Sequence, residues 1–66
     1  MPNMVKMEKC YARIEEIDAA IRTTKHFLDK KTYINTEQGG RELMTLSQLE
    51  ELRDKETAKL REAGME

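Results

Sequence analysis

A run of residues spaced three and four apart constrains the fold of this chain more than any other feature of its sequence. Its members are Met7, Cys10, Ile14, Ile17, Ile21, Thr24 and Leu28. This spacing places them on one face of a helix, with charged residues on the other faces. Pro2 is the only proline and the glycines stand at 39, 40 and 64, so no strong breaker interrupts the run. The pattern predicts a helix over about residues 3–30, with Asn3 as its N-cap.

A second helix is predicted over about residues 46–63. The segment Thr45-Leu46-Ser47-Gln48 has the capping-box pattern, and Met44 and Leu49 occupy the positions of a hydrophobic staple. The apolar positions that follow one side of this helix are Leu46, Leu49, Leu52, Leu60 and Ala63. Gly64 is expected to end the helix by adopting the left-handed conformation.

Glu56 falls where the apolar stripe of the second helix should continue. Because burying an unpaired charge is costly, we favour an edge position from which the carboxylate reaches water. The alternative is an ion pair with a basic residue, either within the chain or across a subunit contact.

The segment between the helices predicts a β-hairpin with strands at about residues 31–36 and 41–45. Gly39 and Gly40 would supply the positive φ that a tight reversal needs. Because a lone two-stranded ribbon is marginal in water, it must lie against the helices. One face of the pairs Tyr33/Ile34 and Leu43/Met44 then enters the core. The expected order of elements is α-β-β-α.

Length and composition restrict the class of protein. Sixty-six residues make one small domain with a thin core. The 12 basic and 13 acidic residues nearly cancel, and Cys10 as the one cysteine permits no internal disulfide. Apolar runs are shorter than the roughly 20 residues of a membrane span, and residues 1–6 lack the apolar core of a signal peptide. These features predict a soluble intracellular module that needs a partner or further copies of itself.

Residues that could carry catalysis or bind a metal are too few and too scattered to form a site. His26 has no second His or Cys at a useful spacing, and Cys10 on the apolar stripe is a small hydrophobe. Gly39-Gly40 lacks a phosphate-loop pattern. We therefore predict no catalytic residue, no cofactor and no metal, and a protein that is not an enzyme.

The distribution of charge argues against autonomous binding to nucleic acid. Residues 1–31 carry seven basic and five acidic side chains, and the remainder carries five basic and eight acidic ones. There is no dense basic stripe, and few aromatic rings are present to stack on bases. Lys25–Lys31 could still touch a phosphate if another molecule brought it near.

Three segments together resemble a known family. They are His26–Lys31, Gly39-Gly40-Arg41-Glu42, and Thr45–Leu52. With a long amphipathic helix before them, they are similar to the small tailed-phage head–tail joining proteins typified by the W protein of phage lambda. The resemblance implies an α+β fold with two antiparallel helices packed on a two-stranded antiparallel hairpin. It also implies assembly in the host cytoplasm and a place in the virion neck.

In that family many copies form a ring beneath the portal after DNA packaging and present a surface for the next neck component. The expected partners are therefore the portal protein, that neck component and other copies of the chain, with non-specific contact to channel DNA as an option. Family members often carry a further tail after the second helix, whereas this sequence stops at Gly64-Met65-Glu66. The contacts made by that tail are then expected to be made by the hairpin, by helix faces or by the N-terminus. The residues we single out are Tyr33, Ile34, Gln38, Gly39, Gly40, Arg41 and Met65.

Two other classes of function stay open at this point. The first is a small helical-hairpin interaction or regulatory protein that dimerises through the Met7–Leu28 seam as a coiled coil. About three heptads with Thr24 at a core position make that seam modest. The second is a nucleic-acid-binding regulator, which predicts a DNA affinity that falls steeply with salt.

Overall fold

The chain folds as a helix, a hairpin and a second helix. The computed structural model describes residues 1–28 and 30–66. The elements are α1 (Met4–His26), β1 (Lys31–Asn35), β2 (Arg41–Thr45) and α2 (Leu46–Met65). The two strands are antiparallel, and the helices pack against each other with β1 beside α1 and β2 beside α2. The predicted α-β-β-α order is confirmed.

The start of α1 follows the prediction, but its end does not. Asn3 is the N-cap, and its Oδ1 accepts a hydrogen bond from the Lys6 N–H at 3.1 Å. The helix ends at His26 instead of near residue 30, and Leu28 adopts a left-handed φ of 54°. This residue turns the chain so that β1 can run back along α1. The Leu28 side chain is 88% exposed, so the buried seam of α1 ends at Thr24.

The start of α2 is the capping box that the sequence predicts. The Gln48 N–H donates to Thr45 Oγ1 at 3.2 Å, and the Thr45 N–H donates to Gln48 Oε1 at 2.8 Å. Met44 and Leu49 belong to the same apolar core, as a hydrophobic staple requires. Thr45 is therefore both the last residue of β2 and the N-cap of α2, which fixes the angle between the hairpin and α2.

The predicted end of α2 is wrong. The helix continues through Gly64 to Met65, and Gly64 does not have a positive φ. The cause lies in the neighbouring helix. Ala63 is fully buried, and its carbonyl accepts a hydrogen bond from the Asn3 N–H at 2.9 Å. This contact between the start of α1 and the last turn of α2 keeps that turn helical.

The core lies where the hairpin crosses the two helices. Its buried members are Ile17, Ala20, Ile34 and Leu49, with Ile21, Met44 and Leu52 packed against them. Ile34 and Met44 therefore face inward, whereas Tyr33 and Leu43 point away from the helices. The sequence predicts that one face of the hairpin enters the core, and the register shows that it is the face of Ile34 and Met44.

Thr24 is a buried polar residue of α1 that keeps its hydrogen bonds. Thr24 Oγ1 donates to the Ala20 carbonyl at 2.8 Å and lies 2.6 Å from Thr32 Oγ1. A buried hydroxyl is tolerated when it has partners. These two threonines therefore join α1 to β1 close to the base of the hairpin.

The two glycines of the hairpin have different roles, which corrects the expectation that both need a positive φ. Gly39 has a φ of 88°, whereas the φ of Gly40 is not positive.

We expect Gly39→Ala to lower the free energy of unfolding by about 1 kcal/mol, because a Cβ disfavours left-handed backbone. Gly40→Ala is the matched control. Its added Cβ would meet Thr36 Oγ1 at 3.5 Å, an ordinary contact, so stability should hardly change. Urea unfolding followed by circular dichroism measures both, and equal losses would contradict the assignment.

Leu28 offers a stabilising change at the end of α1. Because its side chain is exposed and its backbone is left-handed, Leu28→Gly removes strain and little packing. We expect a gain of about 0.5–1 kcal/mol in the free energy of unfolding. Leu28→Ala keeps the Cβ and serves as the control, with no comparable gain. A loss of stability in the glycine variant, measured in the same urea experiment, would contradict the left-handed assignment.

Candidate protein interaction surface

The outer face of the hairpin carries exposed apolar and cationic side chains. The strand register places Lys31, Tyr33, Asn35, Arg41, Leu43 and Thr45 on this side of the ribbon. Tyr33 is 59% exposed and Leu43 is 42% exposed, and they stand opposite each other. The Arg41 guanidinium carbon lies 5.1 Å from the centre of the Tyr33 ring. An aromatic ring held under a guanidinium is a common contact residue in protein interfaces.

The hairpin tip is held by a small set of hydrogen bonds. The Thr36 N–H donates to the Gly40 carbonyl at 2.9 Å, and the Gly39 N–H donates to the Thr36 carbonyl at 3.1 Å. The Gly40 N–H also donates to Thr36 Oγ1 at 3.0 Å. Gln38, Gly39 and Gly40 are exposed. The tip is thus a bonded turn whose outer residues face solvent.

The structure brings together five of the seven residues predicted to make contacts. Tyr33 and Arg41 share the outer face, and the three residues at 38–40 form the adjoining tip. Ile34 is separate from them because its side chain lies in the core and is not offered to a partner. Met65, which is 80% exposed, lies at the opposite end of α2 from the hairpin strands. Apart from the buried Ile34, the predicted residues therefore form one continuous surface and one distant apolar position.

The end of the molecule that carries Met65 has further exposed apolar side chains, namely Met1, Met4 and Val5. Lys6 Nζ lies 3.2 Å from Glu66 Oε1 at this end. The hydrogen bond from Lys6 lowers the pKa of the Glu66 carboxyl from its ordinary value. Pairing with Lys6 therefore favours the charged form of Glu66 and links the two ends of the chain.

Two apolar surface features escaped the sequence analysis. Leu43 lies beside Tyr33 on the outer face, and the alternation of the strand could have identified it once the register was known. Phe27 and Leu28 are exposed at the end of α1, where the three-and-four spacing had assigned Leu28 to the seam. The His26 and Phe27 rings meet edge to face, with centroids 4.7 Å apart.

Charged side chains of α2 and the hairpin tip meet around Glu56. Its side chain is buried, with the residue only 3% exposed, and its Oε1 lies 3.2 Å from Lys59 Nζ. Lys59 also lies 3.6 Å from Glu37 Oε1 in the hairpin tip. The hydrogen bond and charge of Glu56 raise the pKa of Lys59. The edge-position interpretation of Glu56 is therefore wrong, and the ion-pair alternative within the chain is right.

A cavity of about 450 Å³ opens beside this cluster, between α1 and α2. It is lined by Lys6, Lys9, Cys10, Arg13, Glu37, Glu56 and Lys59. Among its charged residues, Lys59 is paired with Glu56 and Glu37, whereas Arg13 and Lys6 pair with Glu16 and Glu66 outside the lining. Cys10 is buried there as a free thiol. Within residues 1–28 and 30–66, no group of three or more His, Cys, Asp or Glu side chains is arranged to hold a metal ion.

Comparison with known proteins identified no relative of this chain. No family model matches the chain, and neither a curated protein nor a solved structure matches it. Over the described residues, neither helix combines the length and the apolar character needed to cross a bilayer.

The buried Glu56 makes a contrast between two substitutions informative. Lys59→Met leaves a buried carboxylate without its partner and should lower the free energy of unfolding by about 2 kcal/mol. Glu56→Met removes the buried charge, extends the apolar stripe of α2 and leaves Lys59 half exposed to water. Its stability should stay within about 1 kcal/mol of the wild type or rise. Thermal and urea unfolding of the two variants would contradict this reading if Glu56→Met were the more damaging change.

Proposed function

We propose that this chain is a structural subunit of the neck of a tailed phage, a head–tail joining protein that forms a ring beneath the portal after DNA packaging. It acts there by protein contacts, with no reaction of its own. Its partners are the portal protein, the next neck component on the tail side and further copies of the chain. Its place is the virion, with assembly in the host cytoplasm. The DNA that passes through the channel is a further, non-specific contact.

The element order supports this proposal. The segments that carry the family resemblance fold as that resemblance implies, into a hairpin turning at Gly39 between two helices. Thr45 caps α2 by a complete capping box. The helices are antiparallel, because the Asn3 N–H at the start of α1 bonds Ala63 near the end of α2.

The observation that carries the proposal is the presence of two separate exposed apolar surfaces on a chain with a small core. One is the outer face of the hairpin, with Tyr33 and Leu43, and the other is the end that carries Met65. A subunit in a ring needs two different contact surfaces, since each copy meets one neighbour on each side. Two surfaces at different places on the molecule suit that geometry, and exposed apolar patches are typical of interaction sites.

The coiled-coil alternative lacks a free surface. Its seam residues Cys10, Ile17 and Thr24 are buried inside the chain. Ile17 packs with Leu49 of α2 and Ile34 of β1 in one core. A second copy could reach this seam only if α1 left its own partners. The structure therefore favours contacts through the hairpin and the helix ends over a dimer formed through α1.

Within the proposed ring, Tyr33, Arg41 and the tip residues 38–40 contact a neighbouring subunit or the portal. Met65 belongs to the second contact. Ile34 makes no such contact. Its burial holds the hairpin against the helices and so leaves the outer face of the hairpin open to a partner. Arg41 is well suited to an acidic partner surface, since it lies over Tyr33 and the strand positions on that face carry no carboxylate.

Sedimentation velocity with the portal ring encoded in the same genome tests the proposal. We expect a monomer in isolation and co-sedimentation of many copies with the portal. Tyr33→Ser and Arg41→Ser should weaken this binding at least about tenfold, because both side chains are exposed contact residues. Glu50→Gln, at an exposed position of α2, is the matched control and should bind as the wild type does. A stable dimer without portal affinity would support the interaction-protein alternative, and a steep salt-dependent affinity for free DNA would support the regulator.

A further inference from the structure

The strand register determines which backbone groups of the hairpin point outward. The bond from the Thr36 N–H to the Gly40 carbonyl makes this opposite pair a hydrogen-bonded one. Pairs alternate along an antiparallel ladder between hydrogen-bonded and non-hydrogen-bonded types. The N–H and C=O groups of Tyr33 and Asn35 on β1, and of Arg41 and Leu43 on β2, therefore face away from the partner strand.

The two edges of the ribbon are treated differently. On β1, the Asn35 N–H donates to Glu16 Oε1 at 3.3 Å, and its carbonyl accepts a hydrogen bond from Arg13. Side chains of α1 thus close this edge next to the tip. On β2, the Thr45 N–H donates to Gln48 Oε1 at the start of α2. Among the residues that the structure describes, the outward groups of Arg41 and Leu43 have no partner, so this edge is open toward the tip.

A groove of about 250 Å³ lies under the inner face of the hairpin, between β2 and α2. Met44 of β2 and Leu52 of α2 line it, and both are half-buried core residues. Glu42, Lys55 and Lys59 also line it. A strand added to β2 would place every second side chain toward this groove and the others on the outer face, beside Arg41 and Leu43.

The charges of the outer face indicate what such a strand should carry. Lys31 and Arg41 are the charged residues on that side of the two strands, and the other positions are Tyr33, Asn35, Leu43 and Thr45. Acidic side chains that alternate with apolar ones would place carboxylates beside Arg41. The apolar side chains would lie over Met44 and Leu52.

From this geometry we infer that the open edge of β2 binds an extended segment of a partner protein by strand addition. Main-chain hydrogen bonds to Arg41 and Leu43 supply the pairing, the Met44/Leu52 groove takes an apolar side chain, and Arg41 selects an acidic one. Main-chain pairing combined with side-chain pockets is a recognised mode of peptide binding. The inference does not depend on a place in a phage neck, and its test needs no portal.

The experiment uses the full chain and a synthetic hexapeptide, Glu-Val-Glu-Leu-Glu-Val, acetylated and amidated at its ends. Titration followed by ¹⁵N-edited NMR should shift the amides of Arg41 and Leu43 and leave those of Lys31 and Tyr33 nearly unchanged. Two control peptides accompany it. One has N-methyl groups on alternate amides, which prevents pairing, and the other replaces glutamate by lysine. Both should bind at least about tenfold more weakly, the loss expected from removing one backbone hydrogen bond or one charge contact.

Matched proline variants test the edge itself. Leu43→Pro removes an outward N–H at an edge position, where proline costs no ladder bond. It should weaken peptide binding at least about tenfold. Lys31→Pro makes the same change at the first residue of the opposite strand and should leave binding within about twofold, since one N–H on the wrong edge contributes no contact. Arg41→Glu leaves the backbone unchanged and should make the chain bind the lysine peptide more tightly than the glutamate peptide. This variant tests the inference even if a proline variant fails to fold. Circular dichroism confirms the fold of each variant.

Three results would overturn the inference. One is the absence of amide shifts in β2 at millimolar peptide. Another is equal loss of binding in the two proline variants together with an unchanged preference in Arg41→Glu. The third is a dimer of the chain alone that Leu43→Pro abolishes, with no affinity for the peptide, because the edge would then belong to a second copy.

Discussion

The contact of Ile34 with Ile17 and Leu49 is the interaction on which the rest of this molecule depends. Ile17 and Leu49 are the largest side chains that are fully buried, one on each helix, and Ile34 brings the hairpin onto them. Burying a side chain of this size contributes about 1.5–3 kcal/mol. A two-stranded ribbon is not stable alone, and a pair of helices with so few buried residues has too small a core to be stable alone. Each half of the molecule therefore needs the other.

Polar contacts select the register in which Ile34 faces inward. Thr24 meets Thr32 at the base of the ribbon, side chains of α1 hold both backbone groups of Asn35, and Lys59 reaches Glu37 at the tip. A slip of one residue would send Tyr33 into the core and Ile34 to solvent. Because these contacts lie at both ends of β1 and at the tip, they keep Tyr33 and Arg41 on the outside. The arrangement of the candidate interaction surface is thus a result of how the core is closed.

Features that depend on a few neighbouring residues could be predicted from the sequence. The capping box at Thr45 and the N-cap at Asn3 are of this kind, and so is the tight turn at Gly39. Features decided by contacts across the chain could not. Gly64 stays helical because α1 holds Ala63, and Glu56 is buried because Lys59 lies beside it.

The candidate interaction surface follows the same division. The three tip residues are exposed as a turn predicts, but which of Tyr33 and Ile34 faces out depends on the register. Leu43 was missed because its neighbour across the ribbon can be identified only from that register. Leu28 was misplaced for a related reason. Its spacing fits the seam of α1, but the chain must reverse at this residue so that β1 can cover the core.

The two chain ends meet, since Asn3 bonds Ala63 at 2.9 Å and Lys6 pairs with Glu66 at 3.2 Å. A short connector between them, with new ends opened at Gly39 and Gly40, would give a circular permutant that runs strand, helix, helix, strand. Every contact of the core would be preserved. The two strands, which are now neighbours in the sequence, would then lie at opposite ends of it. Their pairing would raise the contact order, and folding should be slower. The present connectivity thus makes the ribbon quick to form.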